Sequence, residues 1–181
     1  MLDVAQKYKD QLNTLFYDIW YDLRYKYWNY GTYSDEYSPS NSNYDRRDFV
    51  SIHENEIIGY ISYTIRRGVD IVDSLGILNF KLDDPHASLL FGYDLRTALT
   101  DIFEKWNFRK ITFTVVIGNP VEPKYTRLVK HLGGRIVGLY KEDTKLMDNT
   151  ICDVQMYEIL RSDYMKRRKK DGTIQTLPLQ T

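Results

Sequence analysis

The sequence predicts a single mixed α/β domain, built on a mostly antiparallel central sheet with one strand–helix crossover and helices on both faces. Apolar residues switch between helical and strand spacing in the order helix, loop, three strands, helix, strand, helix, two strands. Antiparallel pieces come first, and a strand–helix crossover joins the middle. At 181 residues the chain has length for roughly one domain of about 150. It shows no internal repeat and no linker.

Ala5, Tyr8, Leu12, Leu15, Phe16, Ile19, Trp20, Leu23 and Tyr27 recur at three- and four-residue spacing, so 1–29 reads as one long amphipathic helix. Gly31, Ser34, Pro39, Ser40, Asn41, Ser42 and Asn43 then break all periodicity, which makes 30–48 a loop. The core is expected over 49–160. Alternation over 49–53 and 57–65, interrupted by Glu54-Asn55-Glu56, predicts a β-hairpin. A third β-favouring stretch covers 69–82, with Gly76 marking a bend or bulge, and Asp83-Asp84-Pro85 ends it.

Leu95, Ala98, Leu99, Ile102, Phe103 and Trp106 form a second apolar stripe, predicting a helix over 88–106. The β-branched and aromatic run 111–117 reads as a strand buried on both faces, stopped by Gly118-Asn119-Pro120. Val121, Tyr125, Leu128, Val129 and Leu132 give a shorter helix, ended by Gly133-Gly134. The last strands are expected at 135–141 and 150–159, with Asp148-Asn149 as their turn. Residues 1–165 thus form one domain, and 166–181 a basic flexible tail.

Lys and Arg number 25 and so do Asp and Glu, giving zero formal charge. A global electrostatic grip on nucleic acid or an anionic membrane is therefore not expected. Six basic residues against two acidic ones leave +4 after Ile159, but no aromatic interleaves the run KRRKK at 166–170, so it reads as a solvated tail. Charged residues at 28% and hydrophobic ones at 43% exclude a disordered or fibrous chain. The lone Cys152 cannot form a disulfide within the chain, and no Cys/His cluster has metal-ligand spacing, so no metal is expected. The first ten residues lack a signal-peptide pattern, and the longest uncharged apolar run, 111–118, falls far short of the ~20 residues a membrane span needs. A cytoplasmic protein in a reducing compartment is the expectation.

Two stretches are more specific. Val115-Val116-Ile117-Gly118-Asn119, then a helix, then Leu132-Gly133-Gly134-Arg135-Ile136-Val137-Gly138 looks like a strand–Asn–helix–Leu-Gly-Phe–strand element, with Gly134 where Phe is usual. Ile57-Ile58-Gly59-Tyr60-Ile61 looks like a strand of v-v-G type. Together with the element order, these resemble the GNAT superfamily of acetyl-CoA-dependent N-acyltransferases over 49–159. The long N-terminal helix takes the place of the family's first helices. The family's phosphate loop, Arg/Gln-x-x-Gly-x-Gly/Ala, falls on Leu89-Leu90-Phe91-Gly92-Tyr93-Asp94. Only Gly92 fits it. Leu89 replaces the Arg or Gln, and Asp94 puts a carboxylate where a pyrophosphate would want free amides.

The resemblance implies transfer of an acetyl group from acetyl-CoA to an amine acceptor, a small molecule or a protein, and it admits a homodimer. It implies that Asn79, Phe80 and Lys81 pair with the pantetheine arm like an added strand. Leu90, Phe91, Gly92, Tyr93 and Asp94 would form the pyrophosphate cradle. The reading from residues alone makes 88–94 a plain helix start with Ser88 as N-cap. Asn119 is placed at the acyl pocket, where the local alternative is a turn residue before Pro120. The family's general-acid Tyr falls on Val129. Tyr125, one turn earlier, would reach the thioester sulfur only if the helix start were displaced, and packing is its alternative role. Asp73 is the candidate general base, among Asp70, Glu56, His53 and His86. A splay between 75–82 and 111–117 would decide for the functional reading. The rival is a GNAT-fold binding module without catalysis, which Leu89, Asp94 and Val129 favour.

Overall fold

Period-two runs of Ile, Val, Tyr and Phe form seven strands, and the two apolar stripes in the second half of the chain form helices. The computed structural model describes residues 1–28 and 44–170. Most of the expected loop at 30–48, and the end of the expected tail, 171–181, lie outside the described residues. The strands are β1 (Leu2–Val4), β2 (Arg46–His53), β3 (Glu56–Arg66), β4 (Ile71–Asn79), β5 (Lys110–Val116), β6 (Arg135–Lys145) and β7 (Ile151–Leu160). The helices are α1 (Lys9–Trp20), α2 (Pro85–Glu104), α3 (Glu122–His131) and α4 (Arg161–Lys170). Strand order is β1-β2-β3-β4-β5-β7-β6. Every neighbouring pair is antiparallel except β4 and β5, whose crossover is α2.

The β2–β3 hairpin closes on Glu54 and Asn55 at φ 49° and 66°, the left-handed pair that a two-residue type I′ turn requires. Helices cover both faces. Phe91, Leu95, Leu99 and Phe103 of α2, Val129 of α3 and Tyr164 of α4 bury against Ile61, Ile111, Phe113 and Tyr157 of the sheet. On the other face, Leu12 and Ile19 of α1 pack with Val50, Tyr60 and Leu78. Gly59 exists for this packing: a Cβ there would stand 2.3 Å from the Phe91 ring. At the end of α3, Gly133 (φ 81°) donates to Lys130 O at 3.2 Å and Gly134 to Val129 O at 2.8 Å, the double bond of a Schellman cap. A side chain at Gly134 would meet Glu158 O at 2.5 Å, so the Phe of the resembling motif has no room here.

Both ends of the domain differ from the expectation. The N-terminal stretch is not one helix. Leu2–Val4 pairs with Phe49–Ser51 as an edge strand, and Ala5–Tyr8 makes a 3₁₀ turn that still buries Ala5. After α1, Asp22 accepts from Arg24 N and starts a second 3₁₀ turn, Leu23–Tyr25. Helical spacing survives a switch from α to 3₁₀ because both geometries bring i and i+3 to one side. At the other end, 166–170 is the last part of α4, not tail. Tyr164 is 1% exposed, stacks on Phe103 at 4.8 Å and donates to Glu104, which also accepts from Arg168 Nε at 3.0 Å.

Candidate functional site

The site begins with a gap in the sheet. β4 and β5 pair only at Ile71↔Lys110 and Val72↔Ile111. Beyond that fork β4 stays with β3 as far as Asn79, and β5 stays with β7 as far as Val116. The edges that face each other therefore diverge into a slot that opens toward the C-terminal ends of both strands. This is the splay the sequence reading asked for.

Just past the fork β4 bulges. Its register against β3 shifts between Ser62 and Thr64, and Ser74 takes φ 53°. Gly76, the residue expected to mark the bulge, approaches Ser62 so closely that a Cβ would lie 2.5 Å from its Oγ. The bulge also sets the phase of the main chain. Phe80 N donates to Ile58 O at 3.0 Å, so Gly76, Leu78 and Phe80 turn their amides and carbonyls to β3. By alternation Leu75, Ile77 and Asn79 turn theirs into the slot, where they have no partner among the described residues. Unpaired main-chain groups in a sheet interior are costly unless something polar meets them. An extended ligand with amides of its own would do so as an added strand.

Asp73 stands at the closed end of the slot. Its Oδ1 accepts from Thr112 Oγ1 at 2.8 Å and from Ser74 N at 3.0 Å, and Arg66 Nη1 lies 4.0 Å from Oδ2. Ile111, Phe113 and Val115 face α2 and α3, so Thr112, and Asp73 with it, lie on the α1 side of the sheet. Tyr125 occupies the opposite side at nearly the same level. Its ring meets Phe113 edge-on at 6.1 Å, and its hydroxyl makes no hydrogen bond among the described residues. Burial, with neighbouring Tyr157 adding to it, pushes the Tyr125 phenol far above its ordinary value. α3 starts at Glu122, so the helix start is not displaced toward the slot. Val129, where the family's Tyr falls, is 2% exposed in the core.

Asn119 lies at the other end. Thr112 to Val116 alone spans about 13 Å at strand rise, so Asp73 and Asn119 do not meet around one small reacting group. The Asn119 side chain accepts from Val121 N at 3.1 Å, which is the turn role considered from sequence. Its Nδ2 makes no hydrogen bond among the described residues.

The expected cofactor residues are divided by the structure. Asn79 contributes main chain to the slot, while its side chain donates to Ser88 Oγ at 2.8 Å and accepts from Lys81 N at 2.7 Å. Phe80 does not contribute. Its amide serves β3, its carbonyl accepts from Tyr25 OH at 3.2 Å, and its ring packs beside Phe16 at 5.8 Å. Lys81 bonds Glu56 through Nζ at 2.8 Å. Leu90, Phe91, Gly92, Tyr93 and Asp94 are no loop: they lie inside α2, where amides are committed to carbonyls one turn back. Phe91 packs over Gly59 of β3. Asp94 accepts from Ser51 Oγ of β2 at 2.7 Å and lines a separate cavity of about 430 Å³, with Phe49, Tyr63, Asp101 and Trp106. The helix begins earlier than expected because Asp84, not Ser88, is its N-cap. Asp84 accepts from His86 N at 2.8 Å and Ala87 N at 3.0 Å, and Pro85 follows it in the first turn.

Sequence reasoning missed Leu75 and Ile77, whose main chain faces the slot, and Thr112, which bonds Asp73. Gly76 was the only signal for the first two. The Asp84-Pro85 pair could have placed the helix start, since Pro after an N-cap residue is a start signal.

The sequence matches no protein-family model and no curated protein. Solved structures do match. The chain is similar to spermidine N-acetyltransferase from Vibrio cholerae in complex with CoA and spermine, with 20% identity and a TM-score of 0.69 over 91% of this chain and 97% of that one. It is also similar to a chimera of the Vibrio cholerae enzyme and hSSAT, with 19% identity and a TM-score of 0.66 over 91% and 99% of the two chains. The fold is that of the GNAT acetyltransferases. No helix among the described residues is long and apolar enough to cross a membrane.

Proposed function

We propose that this protein is an N-acetyltransferase that moves an acetyl group from acetyl-CoA to an amine. The observation that carries the reading is the slot between β4 and β5, with the main chain of Leu75, Ile77 and Asn79 unpaired along one wall. A pantetheine arm, with two amides in an extended chain, is chemically matched to that wall. The named neighbours act on a polyamine with CoA, which supports both the donor and an amine acceptor. Acetyl-CoA as donor suits a cytoplasmic site of action.

The reaction needs the amine nitrogen to attack the thioester carbonyl, the C–N bond to form and the C–S bond to break. The amine loses one proton, and the departing thiolate takes one from water. The bulge aims the Leu75 N–H into the slot one residue past Ser74, where it can hold the developing oxyanion. Asp73, on the α1 side at the fork, accepts the amine proton. Tyr125, whose helix start is not displaced toward the slot, keeps the packing role against Phe113. Most of the rate then comes from positioning.

The test is release of free thiol from acetyl-CoA with a panel of amines that includes spermidine and spermine. Amine-dependent release, lowered on the order of 10²–10³-fold by Asp73→Asn, is the expected result. The Asn retains an oxygen for Thr112, so the fork stays pinned. Binding of acetyl-CoA with no turnover of any amine would favour the binding-module reading. One observation speaks for that rival: apolar, buried Val129 supplies no acid where the fold family keeps one.

A further inference from the structure

The donor end of the slot is built differently from a nucleotide site. A helix N-terminus beside a slot would ordinarily offer free amides and partial positive charge to a diphosphate. In α2 those amides are occupied by a carboxylate of the chain itself, Asp84 Oδ1 on both His86 N and Ala87 N. Those two bonds keep the Asp84 carboxyl below its usual value, so it carries full negative charge at neutral pH. Asp83 stands next to it, 81% exposed. The nearby cations are already matched: Arg24 bonds Asp22 and Asp83, and Lys81 bonds Glu56. His86 packs edge-on to His53 at 5.6 Å. A diphosphate brought to this corner would meet two carboxylates, and the His86, Ala87 and Ser88 amides that open α2 are already taken by Asp84.

Resting on the acyl-transfer reading, we propose that the donor is recognised through its pantetheine thioester arm alone, and that Asp83 and Asp84 deny the nucleotide diphosphate a grip. The donor class is then any pantetheine thioester, with acetyl-CoA as one member. Its nucleotide half projects past the mouth of the slot and adds nothing to affinity.

Calorimetric titration of the full chain with acetyl-CoA, S-acetylpantetheine and adenosine 3′,5′-bisphosphate tests this without knowledge of the acceptor. The two thioesters should bind within about threefold of each other, and the bisphosphate should give no heat at millimolar concentration. Asp83→Asn with Asp84→Asn keeps the cap, because Asn is as good an N-cap as Asp. This variant should tighten acetyl-CoA on the order of tenfold and leave S-acetylpantetheine unchanged. Acetyl-CoA binding about a hundredfold tighter than S-acetylpantetheine in the unaltered protein would overturn the inference while the acyl-transfer reading stands. Silence from both thioesters would overturn both.

Discussion

Asn119 is the residue at which the turn role and the proposed pocket role can be tested apart. Its oxygen fixes the turn into α3 through Val121 N, while its NH₂ makes no hydrogen bond among the described residues. Asn119→Ala removes both functions, and Asn119→Asp keeps the acceptor and loses the donor. The Ala variant should lose about 0.5–1.5 kcal/mol of stability, the usual net worth of one hydrogen bond, and bind acetyl-CoA more weakly. The Asp variant should melt like the parent and yet bind acetyl-CoA several-fold more weakly. Melting temperature and titration on the two variants read the two roles separately. Equal acetyl-CoA affinity in parent and Asp variant would confine Asn119 to the turn. The remaining site residues were legible in uneven measure. Asp73 could be picked as a carboxylate on a strand, but Thr112, which orients it across the fork, gave no sign. Leu75 and Ile77 turn toward the slot only main-chain atoms, which every residue possesses, so side-chain chemistry could not single them out.

Elements were legible where burial imposes a period. The β2–β3 hairpin, β5, β7 and α3 were anticipated because apolar alternation or stripes have to match the core they enter. Boundaries were not, since they depend on caps and pairings that the period does not encode. Asp84 moves the start of α2 ahead of Ser88, and Leu2–Val4 exchanges helix for an edge strand because β2 offers it a partner. α4 is the clearest case. A run of five basic residues hid a helix anchored by one tyrosine, and mean charge says nothing about a single buried ring. Tyr164→Ala should cost about 3–5 kcal/mol, the range for deleting a large buried aromatic. Arg168→Ala, which breaks a half-exposed pair with Glu104, should cost about 1 kcal/mol or less. Urea unfolding of the two variants measures both. A Tyr164→Ala loss no larger than that of Arg168→Ala would mean α4 is not part of the folded core.

Across the whole molecule, buried tyrosines give the stability an asymmetric response to pH. Tyr63 and Tyr164 are each 1% exposed, and burial pushes both phenols up to about 12. Arg47 beside Tyr63 works against that rise without cancelling it. In the unfolded chain the same groups release their protons near 10. Below that value both states hold the protons, and the full stability is present. Above it the unfolded state loses protons first, so stability falls as pH rises through about 12. Tyr63 alone accounts for on the order of 2 kcal/mol of this loss. On the acid side, Asp148 is held down to about 2 by Lys26 and Thr150, but this pair is open to water and salt screens it. Unfolding free energy should therefore be nearly flat around neutrality and drop steeply between about pH 10 and 12. Phenolate absorbance should rise together with the loss of circular dichroism, because buried rings ionise only on opening. In Tyr63→Phe the alkaline slope should be shallower than in the parent. Phenolate release complete by about pH 10 with the fold intact would show that these rings are open to water.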